Sequence, residues 1–457
     1  LPPAARTEDH PFVHHPHRTL LGMSLPVLLS LTAEPLTGLI DTAFVSRLGT
    51  ESLSALDVGT MALSSVFWAF SFLGIGTQTE VAQATGQQDT DRATRFASLA
   101  LIMGSGAGVL LILVGWPVLS SAARLMGAAG SVHDQAVIYM QGRLFGAPAV
   151  LVTVACFGVL RGLLDMRTPL AVTAIVNGLN ILLDALLIFG IGPFPALGIF
   201  GAALASSISQ WIGALWVAAV VYRRLGWSHR MRTTDLWRIL QIGRDLFVRT
   251  GLLTLFLLLC TRMATRIGPS AGAAHQAIRQ FWVFTFLFLD TFAICGQSLI
   301  GYFMGSGRLA DARYVAVVVC QWSIATGLFL TLLMLVGKGL FAGLLVPAAA
   351  LGVFSGSWNV AAFMQPISAL AFATDGIHWG TGDFRYLRNA VLVATGLGAA
   401  VLTAIDETRT EALLLVWLTT AGWIGVRAAF GVVRIWPGFG QAPLRGKDGV
   451  SSNQWST

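Results

Sequence analysis

Two short stretches hold residues that could do chemistry in an otherwise apolar setting. In LTGLIDTAFV (Leu36 to Val45), one carboxylate, Asp41, sits inside an apolar run. In NGLNILLDALL, Asn177, Asn180 and Asp184 fall at i, i+3 and i+7, which puts all three on one helical face. A charged carboxylate at the centre of a membrane span costs about 2.5–3.5 kcal/mol on insertion scales, so such a group faces a partner or a wet cavity. Asp41 therefore reads in one of two ways: a carboxyl paired for packing, or a protonatable or cation-binding site. The face of Asn177, Asn180 and Asp184 is its candidate partner. An amide and a carboxylate one turn apart can share a proton with Asp41 or help to hold a cation.

Other polar residues extend the list. Glu34 lies nearly two turns before Asp41, next to Pro35, and reads as cavity lining or as a bond to backbone freed by the proline. Asp290, in FLFLDTF, is a candidate for substrate binding or for an ion pair with Arg279. Gln78 and Gln297, related by the repeat, read as bonding across helices in preference to touching a substrate, with the substrate cleft as the alternative. His275 and His378 sit at span ends and read as satisfied interfacial side chains. Asp165 with Arg167, and Asp383 with Arg385, read as latches whose pairing could differ between open states. Pro26 and Pro35 each remove a backbone donor from the first apolar run and can bend it beside the acid.

The elements that position these groups are membrane helices. Of the 457 residues, 55% are hydrophobic and 11% are charged, and the mean hydropathy is +0.72. Soluble domains carry about 25% charged residues, and apolar runs of roughly 20 residues are long enough to cross a bilayer. Twelve such runs are expected, from 20–47 to 411–433. The net charge of +7 is concentrated in alternate loops, as in Arg223, Arg224, Arg230, Arg232 and Arg238. That bias places both termini and these loops in the cytoplasm, in a plasma or inner membrane, and it replaces a nucleic-acid reading.

The chain also repeats itself. SRLGTESLSA (Ser46 to Ala55) aligns with TRIGPSAGAA (Thr265 to Ala274), and at the same offset Phe67 meets Phe286, Gln78 meets Gln297 and Gly86 meets Gly305. GLLDMR (Gly162 to Arg167) meets GTGDFR (Gly380 to Arg385). The expected organisation is a leader over 1–19, a six-helix bundle over 20–222, a linker loop over 223–242, a second bundle over 243–434 and a disordered tail over 435–457. Repeats of this kind are typical of transporters. On this alignment Asp41 falls on Cys260 and Asp184 on Leu402, so the acids belong to the first half alone.

Nothing in the sequence suggests an enzyme: no phosphate loop, metalloprotease motif or nucleophile elbow is present. Cys156, Cys260, Cys295 and Cys320 lie inside spans without ligand spacing and read as packing residues. HPFVHHPH (His10 to His17) could bind a metal, but two prolines interrupt it, and it reads as part of a disordered leader. No cofactor is expected beyond a coupling ion, H+ or Na+. The expected partners are a small organic substrate and the lipid bilayer, with the protein acting as a monomer.

EPLTGLIDTAFVSRLG, RGLLDMRTPL, GAAHQAIRQFW and QPISALAFATDGIHWGTGDFRYLRNA resemble the multidrug and toxic compound extrusion transporters, in particular the DNA-damage-inducible F-like branch. The resemblance spans Leu20 to Arg434. It implies two six-helix bundles around a V-shaped cleft, with export of amphipathic or cationic compounds driven by ion influx. It also implies coupling through Asp41, Asn180 and Asp184, a role for the acid at Asp290, and a first helix that bends near Pro26. Two positions depart from the pattern: a hydroxyl of the sixth helix is replaced near Ala202 or Ala203, and an amide of the fourth by Phe157 or a neighbour. Fewer oxygen ligands favour protons over sodium. A sodium-coupled exporter and a lipid-precursor flippase are the alternatives, and the flippase would call for cationic residues deep in the cleft.

Overall fold

The computed structural model describes residues 10–436 and 438–445. Those residues are helices joined by short turns. In chain order they are α1 (Pro11–His14), α2 (Pro16–Val45), α3 (Thr50–Ala69), α4 (Phe72–Gly86), α5 (Thr90–Gly115), α6 (Leu119–Leu125), α7 (Gly130–Leu144), α8 (Ala147–Gly162), α9 (Arg167–Phe189) and α10 (Gly198–Leu225). There follow α11 (Thr233–Ile267), α12 (Pro269–Gly305), α13 (Leu309–Leu345), α14 (Leu351–Phe363), α15 (Gln365–Thr381), α16 (Phe384–Thr403) and α17 (Ala412–Ile435). Ten helical stretches are long and apolar enough to cross a membrane. Two bent pairs, α7 with α8 at 48° and Ala348–Phe363 with α15 at 43°, raise the number to 12 if each is one span.

The breaks follow from proline. Pro148 stands in the first turn of α8 and Pro366 in the first turn of α15. At that position the missing N–H costs nothing to the new helix, but it cannot continue the preceding one. Gly190 ends α9 in the left-handed conformation at φ 71°, a region that a Cβ disfavours.

Two compact units divide the chain, one formed by Arg18–Phe247 and the other by Val248 onward together with Pro11–His17. The repeat reappears in their packing. In the first unit a Cβ on Gly158 of α8 would lie 2.4 Å from the Gly74 carbonyl oxygen of α4. In the second, a Cβ on Gly376 of α15 would lie 2.3 Å from the Ala293 carbonyl oxygen of α12. Gly108 meets Pro148 in one half as Gly327 meets Pro366 in the other. Each bundle is closed by helix pairs that touch backbone to backbone, and small residues at these crossings permit it.

Three boundaries differ from expectation. The linker is mostly helix: only 226–232 lacks helical structure between α10 and α11. The start of α11 packs on the first unit because the fully buried Glu80 of α4 requires cations. Arg92 reaches it at 2.7 Å, Arg238 of α11 is its second partner, and Asp235 pairs with Arg95 at 3.1 Å. The leader is ordered over its described part. Phe12 is buried against Phe303 and Tyr314, with ring centroids 5.9 and 6.0 Å away, and the Trp322 indole N–H donates to His17 Nδ1 at 3.1 Å. His17 is thereby used in packing. At the other end, Arg313 Nε donates to the Leu444 carbonyl at 2.7 Å and Arg434 holds the Gln441 carbonyl at 3.0 Å, so residues 438–445 are tied down as well. The expected disorder of the remaining tail, 446–457, lies outside the described residues, as do 1–9.

Candidate functional site

The site forms where α2 and α9 run side by side. Both helices carry a polar stripe at i, i+4, i+7 and i+11: Ser30, Glu34, Thr37 and Asp41 on α2, and Thr173, Asn177, Asn180 and Asp184 on α9. Each member of the second stripe stands 143 positions after its counterpart in the first. An eleven-residue step closes three helical turns almost completely, so both stripes stay on one face. The Ser30 and Thr173 hydroxyls bond at 3.0 Å. Three turns on, the carboxyls of Asp41 and Asp184 are hydrogen-bonding neighbours. Beyond them the rings of Phe44 and Phe189 meet edge to face at 6.0 Å. These contacts follow the same order along both helices, which are therefore parallel where they meet.

Asp184 is fully buried, and one of its oxygens accepts from the Asn180 amide at 3.0 Å. Its other oxygen, and one oxygen of Asp41, are buried without a donor. Two carboxylates in contact repel, whereas a single shared proton turns the contact into a hydrogen bond. Asn177 points a buried, unpartnered amide nitrogen from the same face of α9. Glu34 belongs to the matching rung of α2 but is exposed. Both prolines lie inside α2, which runs through them as one helix, and the Ser30–Thr173 bond pins that helix to α9 between Pro26 and Pro35.

The remaining candidates are distributed elsewhere. Asp290 is half-buried on α12 in the second unit, and Arg279 donates to Gln276 at 3.0 Å rather than to it. Gln78 and Gln297 are sealed inside the bundles, each at a close helix crossing. A Cβ on Gly162 would lie 2.9 Å from the Gln78 carbonyl oxygen, and one on Gly380 would lie 2.7 Å from that of Gln297. Both side chains are buried in this structure. His378 is buried, bonded through Nδ1 to the Thr374 carbonyl at 2.6 Å and stacked on Tyr386, while His275 lies 3.4 Å from the Thr261 hydroxyl.

The expected latches take other partners. Asp165 pairs with Arg224 at 2.6 Å and Asp383 with Arg434 at 2.7 Å, so each acid is held by the last helix of its own bundle and not by Arg167 or Arg385. Asp165 is turned that way because it caps α9, accepting from the amides of Arg167 and Thr168 at 3.0 Å and from the Thr168 hydroxyl at 2.6 Å. Burial raises its carboxyl, but the Thr168 bonds, the Arg224 charge and the Arg167 amide outweigh that and hold it below the ordinary value.

Several groups escape a reading of the sequence alone. Glu80 is one. Asp375, with Arg249 and Arg427 (the latter at 2.8 Å), is another: a buried acid between two guanidiniums that otherwise look like topology charges. The third is Arg143, at the end of α7, whose charge acts on both Asp41 and Asp184. The matching polar stripes are the signal that could have exposed the pairing of α2 with α9.

A family model described as MatE matches residues 26–186 and 246–405, one block in each half. The chain is 28% identical to DNA damage-inducible protein F of Escherichia coli over 436 residues, covering 93% of each chain. It is 28% identical to Protein DETOXIFICATION 42 of Arabidopsis thaliana over 484 residues, covering 92% of this chain and 91% of that one. A crystal structure titled as MATE in the bent conformation superposes with a TM-score of 0.85 at 21% identity, covering 92% of this chain and 96% of the other.

Proposed function

The chain belongs to the MatE family of multi-pass membrane transporters, and we propose that it exports amphipathic or cationic organic compounds in exchange for protons carried by Asp41 and Asp184. Relatives at similar identity support a broad organic substrate class. One is named a probable multidrug resistance protein NorM, from Deinococcus radiodurans, and is 28% identical over 93% of its length. Family and fold are those of transporters and not of enzymes.

One observation carries the choice of ion. Two carboxyl groups meet inside a membrane bundle, and each keeps a buried oxygen with no donor. A proton satisfies both oxygens at once and removes one charge from a region where charge is costly. A sodium ion would call for further oxygen ligands; at the sixth-helix position where the resemblance implies a hydroxyl, this chain has Ala202 and Ala203, while Ser207 is committed to the Gly142 carbonyl at 2.7 Å. In the proposed cycle the proton-loaded pair, one proton shared by two carboxyls, carries a single negative charge and is compact. Release of the proton leaves a second negative charge on the pair, weakens its internal bond and loosens α2 beyond the Ser30 anchor. A cationic substrate favours that charged state, which links its passage to proton movement. Both termini and the 226–232 segment face the cytoplasm in this reading.

The substrate class is tested in cells stripped of other exporters. Expression of the protein lowers accumulation of a fluorescent lipophilic cation several-fold and leaves a matched anionic dye unaffected, and Asp184→Asn abolishes the difference. Equal export of both dyes, or export that survives Asp184→Asn, contradicts the reading.

A further inference from the structure

Arg143 takes no part in the proposed proton exchange itself, yet its position is unusual. It ends α7 immediately before the 48° break, so it lies in the middle of the span formed by α7 and α8. A cation at mid-span is costly unless an anion answers it, although the carboxyl end of a helix favours positive charge. The neighbouring packing shows which anion is in reach. Tyr139, Met140 and Leu144 of α7 share one apolar cluster with Phe44 and Val45 of α2 and Ile188 and Phe189 of α9. Val45 is one turn beyond Asp41 and Ile188 one turn beyond Asp184, so the three helices converge where the acids are. α10 lies between α7 and α9: a Cβ on Gly142 would touch Ala203, and one on Gly201 would lie 2.5 Å from the Leu187 carbonyl oxygen.

We propose that Arg143 is the fixed counter-charge that allows the Asp41–Asp184 pair to release its last proton. With one shared proton the pair carries a single negative charge, which Arg143 cancels. When that proton leaves, the three groups total one negative charge rather than two. A doubly negative pair without a nearby cation is prohibitive in the interior of a membrane bundle. Arg143 thus acts through the carboxyls, as a positioning charge and not as a ligand. At an effective dielectric of about 20, a fixed charge in the neighbourhood of the pair is worth roughly one to two pH units of proton affinity. The other titratable groups on the surrounding helices do not replace it. Glu34, Glu51 and Asp57 are exposed acids, Tyr139 is engaged with Thr60 at 3.2 Å, His133 pairs with Asp134 at 2.9 Å near the start of α7, Cys156 is buried on α8, and Arg161 lies over Phe157 at the far end of α8. α10 has no titratable side chain before Tyr222.

This inference rests on the proton reading, and one experiment separates their failures. Purified protein in sodium-free detergent solution is mixed with tetraphenylphosphonium, and proton release is followed with a pH indicator. The wild type releases about one proton per bound cation at pH 7. Arg143→Gln releases almost none at pH 7 and recovers near pH 8.5–9, a shift of about one to two units, while Arg143→Lys behaves as wild type. Arg143→His, charged only in the acid range, must release less as pH rises from about 6 to 7.5, the reverse of wild type. That variant serves if Arg143→Gln does not fold. Release from Arg143→Gln at pH 7 equal to wild type overturns the counter-charge. Binding of the cation with no proton release by any form, wild type included, overturns the proton reading itself.

Discussion

Ser30 on α2 and Thr173 on α9 are joined hydroxyl to hydroxyl at 3.0 Å, and this bond sets the register that brings the two acids together. Asp41 and Asp184 each lie eleven residues further on (30 to 41, 173 to 184), three turns along parallel helices. A slip of one residue would turn one stripe about 100° away from the other. The pair is therefore a product of register and not of local sequence around either acid.

Asp41→Asn keeps the shape of the side chain but cannot exchange a proton. Coupled export is expected to fall to background with the protein still folded. Cys260, the residue at the repeat-related position, is buried beside Thr420 at 3.6 Å, and Cys260→Ala is expected to retain most activity. The two variants are compared by dye efflux after matching their amounts in the membrane. Equal losses at both positions would make Asp41 a packing residue.

Asn180 supports the ionised form of Asp184 through its 3.0 Å bond. A hydrogen bond to a charged group is worth about 1.5–3 kcal/mol, and 1.4 kcal/mol corresponds to one pH unit. Loss of this donor makes the pair hold its proton more tightly. Asn180→Ala is accordingly expected to move the pH optimum of transport upward by about one unit without abolishing it. An unchanged optimum would remove Asn180 from the site.

Gly376 sits where a Cβ would lie 2.3 Å from a backbone oxygen of α12. Helix backbones give little, so Gly376→Ala should lower thermal stability in detergent by the equivalent of about 1–3 kcal/mol, and Gly158→Ala should act similarly in the first bundle. Gly396 on α16 has nothing within 4 Å, so Gly396→Ala is expected to be neutral or slightly stabilising. Similar melting temperatures for Gly376→Ala and Gly396→Ala would contradict the backbone crossings.

Arg230 lies in the short non-helical segment between α10 and α11 and is exposed. In intact cells a cysteine introduced by Arg230→Cys should resist a membrane-impermeant thiol reagent and react only after permeabilisation. Labelling from outside would invert the assigned topology.

Much of this was legible before any coordinates. Apolar runs of spanning length gave most of the helices, because crossing the hydrocarbon needs about 20 apolar residues, but the polar start of α11 at Thr233 was read as loop. The repeat that relates Gln78 to Gln297 also relates Gly162 to Gly380, at an offset one residue shorter, and these pairs form matching crossings in the two bundles. The acids stood out because charge is rare in spans. What stayed hidden depends on which helix faces which. Arg143 counts as one more basic residue until α7 is packed beside α2 and α9. Arg249 and Arg427 likewise look like topology charges until Asp375 stands between them. Glu80, in QTEVAQ, carries no spacing signal of its own, yet it is buried and paired with Arg92 and with Arg238 of α11. Asp165 and Asp383 were expected to pair with their sequence neighbours, whereas each pairs with an arginine of the final helix of its bundle, Arg224 and Arg434.

The central claim is that the Asp41–Asp184 pair couples export to protons. Its most direct test is efflux of a cationic dye from proteoliposomes, with a pH jump imposed in the absence of sodium and a sodium gradient imposed at constant pH. The account predicts rapid efflux under the pH jump, no response to sodium, and loss of the pH response in Asp41→Asn. Efflux that requires sodium and ignores the imposed pH gradient would contradict it.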